Sequence, residues 1–311
     1  MIAFLFPGQG SQKVGMGRAL AEAFPEARTA FAEADAAFGG PLSGLCFEGP
    51  EEQLTLTEHT QPAILAVSTA AARVLASRGI HPAIVAGHSL GEYSANVAAG
   101  TFAFGEAVAV VRQRGRFMQE AVPVGQGAMA AIIGLDAATV RRACEEAADG
   151  EIVSVANINS PDQAVIAGAT AAVRRAGERA KALGAKRVVP LPVSAPFHCA
   201  MMKPAEERLA PELRSLAVHQ PRVPIVANVD AEAKREAEGA IDALVRQVSA
   251  AVLWEDVMHR LASEGVTTYV EVGPGRVLSG LAKKIHKDAE VFAFGAPDDL
   301  DAILAHARPA R

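Results

Sequence analysis

Gly87-His88-Ser89-Leu90-Gly91 is a serine with a glycine two residues to either side. It follows the apolar run Ile84-Val85-Ala86 and opens a helical pattern, so Ser89 falls on a strand-to-helix turn, where a nucleophile elbow belongs. A sharp turn of that kind brings the residues two before and two after the serine together and leaves no room for side chains. The serine oxygen then projects from the C-terminal edge of the sheet. The following helix aims its first N–H groups at any oxyanion that forms, and Leu90 would supply one of them. His88 leaves the turn in another direction and reads as a structural histidine rather than the base.

A serine needs a base within hydrogen-bond reach. Of the 8 histidines, His59, His219, His286 and His306 lie in polar stretches expected to be exposed, and His81 precedes a strand, at the wrong edge of the sheet. His259 sits within a helical pattern, explicable by packing. His198 follows the apolar run Val188–Val193 in Ser194-Ala195-Pro196-Phe197-His198, where a small domain rejoins a large one, and clefts between domains collect ligand sites. A histidine packed at a hinge is the alternative. No Asp or Glu stands out as a third member; a backbone or amide carbonyl could equally accept the other ring N–H. Cys199 adjoins His198, but neighbours on an extended chain face apart, which argues against a cysteine nucleophile.

The first loop, Phe6-Pro7-Gly8-Gln9-Gly10-Ser11-Gln12, fails as a dinucleotide fingerprint because Lys13 stands where the third glycine belongs. It fails as a P-loop because Met16-Gly17 follow Gly15. It suits either a tight turn or a second oxyanion N–H, from Gln9.

Short β-branched runs ending in Gly or Ser alternate with longer helical patterns, which predicts an α/β fold with a largely parallel sheet. Strands are expected at Ile2–Phe6, Ala83–Gly87, Pro224–Asn228, Thr268–Val272 and Val291–Phe294. Helices are expected at His59–Ser77, Leu90–Ala99, Gly105–Ala121, Gly239–Ala250, Trp254–Glu264 and Arg276–His286. Between them the order strand, helix, strand, strand, helix, strand (Ala128 to Pro190) is the split-βαβ, ferredoxin-like pattern. A small subdomain at 126–193 is thus inserted into a large one made of 1–125 and 194–311. The Ala/Glu stretch Ala231–Ala240 reads as an exposed loop.

The 311 residues are 50% hydrophobic and 21% charged, with a net charge of −5, as expected for a soluble globular enzyme. No basic stripe with interleaved aromatics suggests nucleic acid, and no apolar run approaches membrane-spanning length. The first ten residues lack a basic n-region, and a cytoplasmic location is expected. Three scattered cysteines form no CxxC pair and suggest neither a disulfide framework nor a zinc site.

FPGQGSQ at the start, TQPAI at Thr60–Ile64, GHSLGEYSA at Gly87–Ala95 and RGRFMQ at Arg114–Gln119 resemble the malonyl-CoA:acyl carrier protein transacylases. NSP at Asn159–Pro161, PFH at Pro196–His198, LVRQ at Leu244–Gln247 and EVGPG at Glu271–Gly275 continue the resemblance in order. It implies a hydrolase-like large subdomain, a ferredoxin-like small one and double-displacement chemistry. Ser89 would be the nucleophile, His198 its base, and the N–H groups of Gln9 and Leu90 the oxyanion hole. Arg114 would bind the malonyl carboxylate, for which a planar guanidinium is suited; the pattern alone would favour an exposed helix arginine beside Arg112 and Arg116. Gln247 would supply the carbonyl that orients the histidine.

Phe197 stands where other family members carry serine, and would fill the space an α-methyl group needs. No metal or redox cofactor is implied; the substrate is a coenzyme A thioester, malonyl-CoA, and the partner acyl carrier protein. The family implies a monomer. Lys283, Lys284 and Lys287, with Lys203, are candidates for a basic docking surface, or else a solvated helix face. A serine hydrolase, a trans-acting polyketide acyltransferase and a non-catalytic scaffold are the rival readings; the scaffold is disfavoured because Ser89, His198, Arg114 and Gln247 are all intact.

Overall fold

The computed structural model describes residues 1–193 and 195–307. The chain runs through strands β1 (Ile2–Phe6), β2 (Ile84–Gly87), β3 (Gly127–Ile133), β4 (Val153–Ser160), β5 (Gln163–Ala169) and β6 (Arg187–Pro190). It continues through β7 (Ile225–Val226), β8 (Ala233–Lys234), β9 (Thr268–Val272) and β10 (Glu290–Phe294).

Among the described residues two sheets form. The first has the order β10-β9-β1-β2-β7-β8, parallel except for β8. β1 is buried on both faces, as a central parallel strand must be. Its alternation divides the core: Phe4 and Phe6 pack into the cluster beneath the helices Thr57–Ser77 and Phe104–Glu120, while Ala3 and Leu5 face Trp254, Val257, Leu261 and Leu278 on the other side. Helix Thr57–Ser77 is apolar nearly all round because it lies inside the first cluster, and residues from Thr60 to Ala71 are buried without interruption.

The second sheet is antiparallel in the order β4-β5-β3-β6. Helices Ala137–Ala147 and Thr170–Ala182 lay Val140, Ala143, Val173 and Ala176 on one of its faces. This is the ferredoxin-like arrangement, and the whole is an α/β fold with that small unit set into a hydrolase-like larger one. Ser194, where the expected boundary falls, lies outside the described residues.

Two expectations need correction. The strand foreseen at Pro224–Asn228 is only Ile225–Val226, because Asn228 turns away to bond the elbow. The stretch Ala231–Ala240 is not a loop throughout: Ala233–Lys234 pairs with β7, and a helix begins at Ala237, whose N–H is accepted by the Gln220 side chain at 2.9 Å. Between residues 18 and 54 the helices Arg18–Ala23, Pro25–Phe38, Leu42–Glu48 and Glu51–Leu54 answer to no expected element.

Candidate active site

The turn after β2 is as tight as the glycine spacing demands. A Cβ on Gly87 would lie 1.9 Å from the Gly91 carbonyl oxygen, and one on Gly91 would lie 2.0 Å from that of Phe6. Ser89 between them has φ 53°, a left-handed conformation that costs a non-glycine residue about 1–3 kcal/mol and persists only where its surroundings over-determine it. Asn228 does much of that. Its Oδ1 accepts the Ser89 N–H at 2.7 Å and its Nδ2 donates to the Gly87 carbonyl at 2.7 Å, pinning both sides of the turn.

The Ser89 hydroxyl is 2.7 Å from His198 Nε2, and His198 Nδ1 is 2.9 Å from the backbone carbonyl of Gln247. A carbonyl only accepts, so Nδ1 carries the proton and the Nε2 lone pair faces the serine. His198 also has a positive φ, 59°, and is 4% exposed. Burial, with Arg114 close by, pushes its pKa down to about 3, so the imidazole is neutral and its Nε2 lone pair is unprotonated. The group orienting the ring is a main-chain carbonyl, one of the two possibilities the sequence leaves open.

Arg114 is not an exposed helix arginine; it is 1% exposed. Nη1 donates to Gln61 Oε1 at 2.8 Å, and Nη2 donates to Gln247 Oε1 at 2.9 Å and to Ser89 Oγ at 3.2 Å. Its neighbours on the helix behave differently: Arg112 lies over the Phe38 ring and Arg116 pairs with Glu120. Gly115 explains the contrast. A Cβ there would come within 2.6 Å of the Thr57 carbonyl, so the two helices touch backbone to backbone and Arg114 is carried in beside Gln61.

The first loop lies against the elbow, since a Cβ on Gly8 would be 2.4 Å from the His88 carbonyl oxygen. Gln9 follows directly, with its side chain donating weakly to Thr57 Oγ1 at 3.4 Å. Leu90 is buried at the start of helix Gly91–Ala99. Among the described residues, no main-chain carbonyl accepts the N–H of Gln9 or Leu90. Phe197 is 8% exposed and belongs to the core cluster below the large sheet.

His88 is structural, as expected: Nε2 bonds Asn159 Oδ1 at 2.9 Å and the ring tilts against Trp254. His59, His286 and His306, expected exposed, are half-buried with partners in Gln53, Tyr269 and Thr268. The thiol of Cys199 is buried and bonded to the Pro196 carbonyl, and burial pushes it up to about 11. Of the lysines, Lys284 is paired with Asp162 and Lys203 with Glu206, while Lys283 and Lys287 have no ion-pair partner among the described residues. A cavity of about 900 Å³ opens elsewhere, lined by Arg73, His81, Val97, Phe102 and Arg222; neither Ser89 nor His198 lines it.

Sequence reasoning missed Asn228 and Gln61. The first stands at the C-terminal edge of an expected parallel strand, where ligand-side residues gather, and the second lies in the TQPAI motif.

The hydrogen-bonded serine–histidine pair and the buried arginine beside it are accompanied by a match to the Acyl transferase domain family over residues 3–294. The chain belongs to the acyl transferase family. Among curated acyltransferases it is 52% identical to the malonyl CoA-acyl carrier protein transacylase of Escherichia coli K12 over 303 residues, 97% of this chain and 98% of that one. The Bacillus subtilis protein of the same name is 47% identical over 301 residues, 96% of this chain and 95% of its own. Two solved acyltransferase structures superpose closely, each at 48% identity. One is the acyl carrier protein S-malonyltransferase of Vibrio cholerae, at TM-score 0.95 over 97% of this chain and 99% of that one. The other is a malonyl-transacylase in complex with a type II polyketide synthase acyl carrier protein, at TM-score 0.96 over 98% and 99%.

Proposed function

We propose that this acyltransferase moves a malonyl group from coenzyme A to the phosphopantetheine thiol of acyl carrier protein, through a malonyl ester on Ser89, and so supplies extender units for fatty acid synthesis. The observation that carries this reading is Arg114. Its guanidinium is buried and reaches to 3.2 Å from the nucleophile. A malonyl group has one methylene between its two carbonyl carbons, so its free carboxylate falls within reach of a cation beside the serine it acylates. A hydrolase of neutral esters has no use for such a charge, whose burial is costly. The names of the relatives support the same substrate and carrier.

The chemistry then follows from the site. His198 Nε2 takes the Ser89 proton as the oxygen attacks the thioester carbonyl. The tetrahedral oxyanion is held by the N–H groups of Gln9 and Leu90, and Gln247 steadies the imidazolium through Nδ1. Collapse breaks the carbon–sulfur bond, and His198 returns the proton to the departing coenzyme A thiolate. In the second half the carrier thiol gives its proton to His198 and attacks the ester, and Ser89 leaves with that proton. Every group in this scheme belongs to the chain, the thioester or the carrier protein. Phe197 would select malonyl over α-methyl-branched groups.

We take residues 126–193 as the small subdomain and 1–125 with 194–311 as the large one. Among the described residues no helix is long and apolar enough to cross a membrane. We place the enzyme in the cytoplasm as a monomer, since one chain supplies each group the chemistry uses. A trans-acting polyketide acyltransferase is the second reading, favoured by the structural neighbour held in complex with a polyketide carrier.

Intact-protein mass spectrometry after brief mixing with malonyl-CoA tests this. A single malonyl adduct on the wild type, absent from Ser89→Ala and discharged by fatty-acid carrier protein, is the expected result. Discharge by a polyketide carrier alone would favour the second reading. No adduct, with malonate released in step with coenzyme A, would mean a hydrolase.

A further inference from the structure

One carboxylate beside the site has no part in the scheme above. Glu92, in the first turn of the helix Gly91–Ala99, is 1% exposed. Its Oε2 accepts the main-chain N–H of Asn228 at 2.9 Å and the Gln247 Nε2 at 2.8 Å. Asn228 pins the elbow, while Gln247 holds both the base and the arginine. The carboxylate therefore meets, at one oxygen, the two residues that organise the site.

The side-chain amide of Gln247 could in principle be turned either way, and its partners decide which. On the Nε2 side stand acceptors: the Glu92 carboxylate, the Ser89 carbonyl at 3.0 Å and Asn228 Oδ1 at 3.4 Å. On the Oε1 side stands Arg114, which can only donate. Turned around, the amide would set its NH₂ against the guanidinium and its oxygen against the carboxylate. Both contacts would be repulsive in a water-free interior.

We propose that Glu92 is a positioning residue: by accepting from Gln247 Nε2 it fixes the amide so that Oε1 holds Arg114 beside Ser89, and so sets the preference for an acyl group that ends in a carboxylate. The role rests on the reading of Arg114 given above and extends it by one residue. It needs an acceptor at Oε2, not a charge. Burial pushes Glu92 up to about 7, and with a proton on the other oxygen Oε2 still accepts both bonds.

Two substitutions separate acceptor from charge. Glu92→Leu keeps bulk and removes the acceptor; Glu92→Gln keeps a carbonyl oxygen that can face both donors. The readout is the ratio of Ser89 loading rates with malonyl-CoA and with acetyl-CoA, which lacks the carboxylate. A displacement of Arg114 by about 1 Å lowers the ratio on the order of tenfold to a hundredfold in Glu92→Leu. Glu92→Gln should bring it back to within about threefold of wild type. A general loss of structure would lower both rates together and leave the ratio alone, which overturns the proposal, as does a Glu92→Gln ratio as low as that of Glu92→Leu. If Glu92→Leu does not fold, the Glu92→Gln ratio decides alone on the same criterion. If the wild type loads neither thioester, the transfer reading fails by itself. The crystal structure of either variant then decides for Glu92: an unchanged Arg114–Gln247 contact in Glu92→Leu, or a broken one in Glu92→Gln, overturns its role.

Discussion

Replacing Arg114 by alanine should cost malonyl loading far more than acetyl loading, and the size of the effect follows from how the guanidinium is held. Of its five N–H groups, one goes to Gln61 and one to Gln247. Nε is buried without a partner among the described residues. One N–H remains on each terminal nitrogen, and that of Nη2 is directed at Ser89 Oγ. Two charge-assisted hydrogen bonds to a carboxylate are thus available, each worth about 1.5–3 kcal/mol, or about 3–6 kcal/mol together. At about 1.4 kcal/mol per factor of ten, malonyl loading should fall by roughly 10² to 10⁴ in kcat/KM. Acetyl-CoA has no group for those bonds and should lose no more than about tenfold, the share owed to the contact with Ser89 Oγ. Quench-flow mixing followed by intact-mass measurement gives both rates. The truncation also leaves Gln61 Oε1 and Gln247 Oε1 without their donor, each an unpaired polar atom costing about 1–3 kcal/mol, so the melting temperature is recorded alongside. Equal loss with the two thioesters would refute the assignment of Arg114 to the carboxylate.

The pH profile tests His198. Because its pKa is pushed down to about 3, kcat/KM for loading should stay level from pH 7.5 to about 5, whereas an ordinary imidazole would lose half its base form near 6.5; a break close to 6.5 would show that the ring is not buried and neutral in the free enzyme. The same shift acts on stability with a definite sign: between pH 6.5 and 3 the unfolded chain binds a proton the folded chain refuses, so this group's contribution, complete above 6.5, is lost as pH falls. Denaturant titrations across that window measure the slope. For Phe197, the wild type should load malonyl-CoA faster than methylmalonyl-CoA, and Phe197→Ser should narrow the gap by about tenfold, as a methyl-sized vacancy allows. Indistinguishable wild-type rates for the two thioesters would end the selectivity argument.

The elbow was legible in the sequence because its constraint is steric and local. Gly87 and Gly91 must lack side chains for the turn to close, and that requirement is written at fixed spacing around Ser89. His198 could be narrowed down by its place where the chain returns to the large unit. Arg114 could not be assigned from pattern, since three arginines alternate along one helix and the one that turns inward is chosen by another helix, whose Gln61 lies 53 residues away. The glycine at 115 was the available signal, a mark of close helix contact beside a charged residue. Asn228, Gln61 and Glu92 stayed hidden for a related reason. Each acts through bonds to residues far along the chain, and a lone polar residue at a strand or helix end has many ordinary explanations.

The place of β1 in the large sheet has a consequence for how the protein is made. β1 is made before both of its neighbours and lies in the interior of the sheet, flanked by β2 on one side and by β9, which begins at Thr268, on the other. Until β9 is made one edge of β1 has no neighbour, and such an edge is a template for pairing with other chains. At about 5–20 residues per second the gap lasts on the order of ten seconds or more. The helix pair around Thr57–Ser77 and Phe104–Glu120 can shield a face of the nascent strand, not its edge. The proposed catalytic groups obey the same clock, because Ser89 lacks His198, and Arg114 lacks Gln247, until residues 198 to 247 arrive. On the proposed assignment, a chain stalled before that point carries an elbow without its histidine, and should be inert toward thioesters until Gln247 has been made.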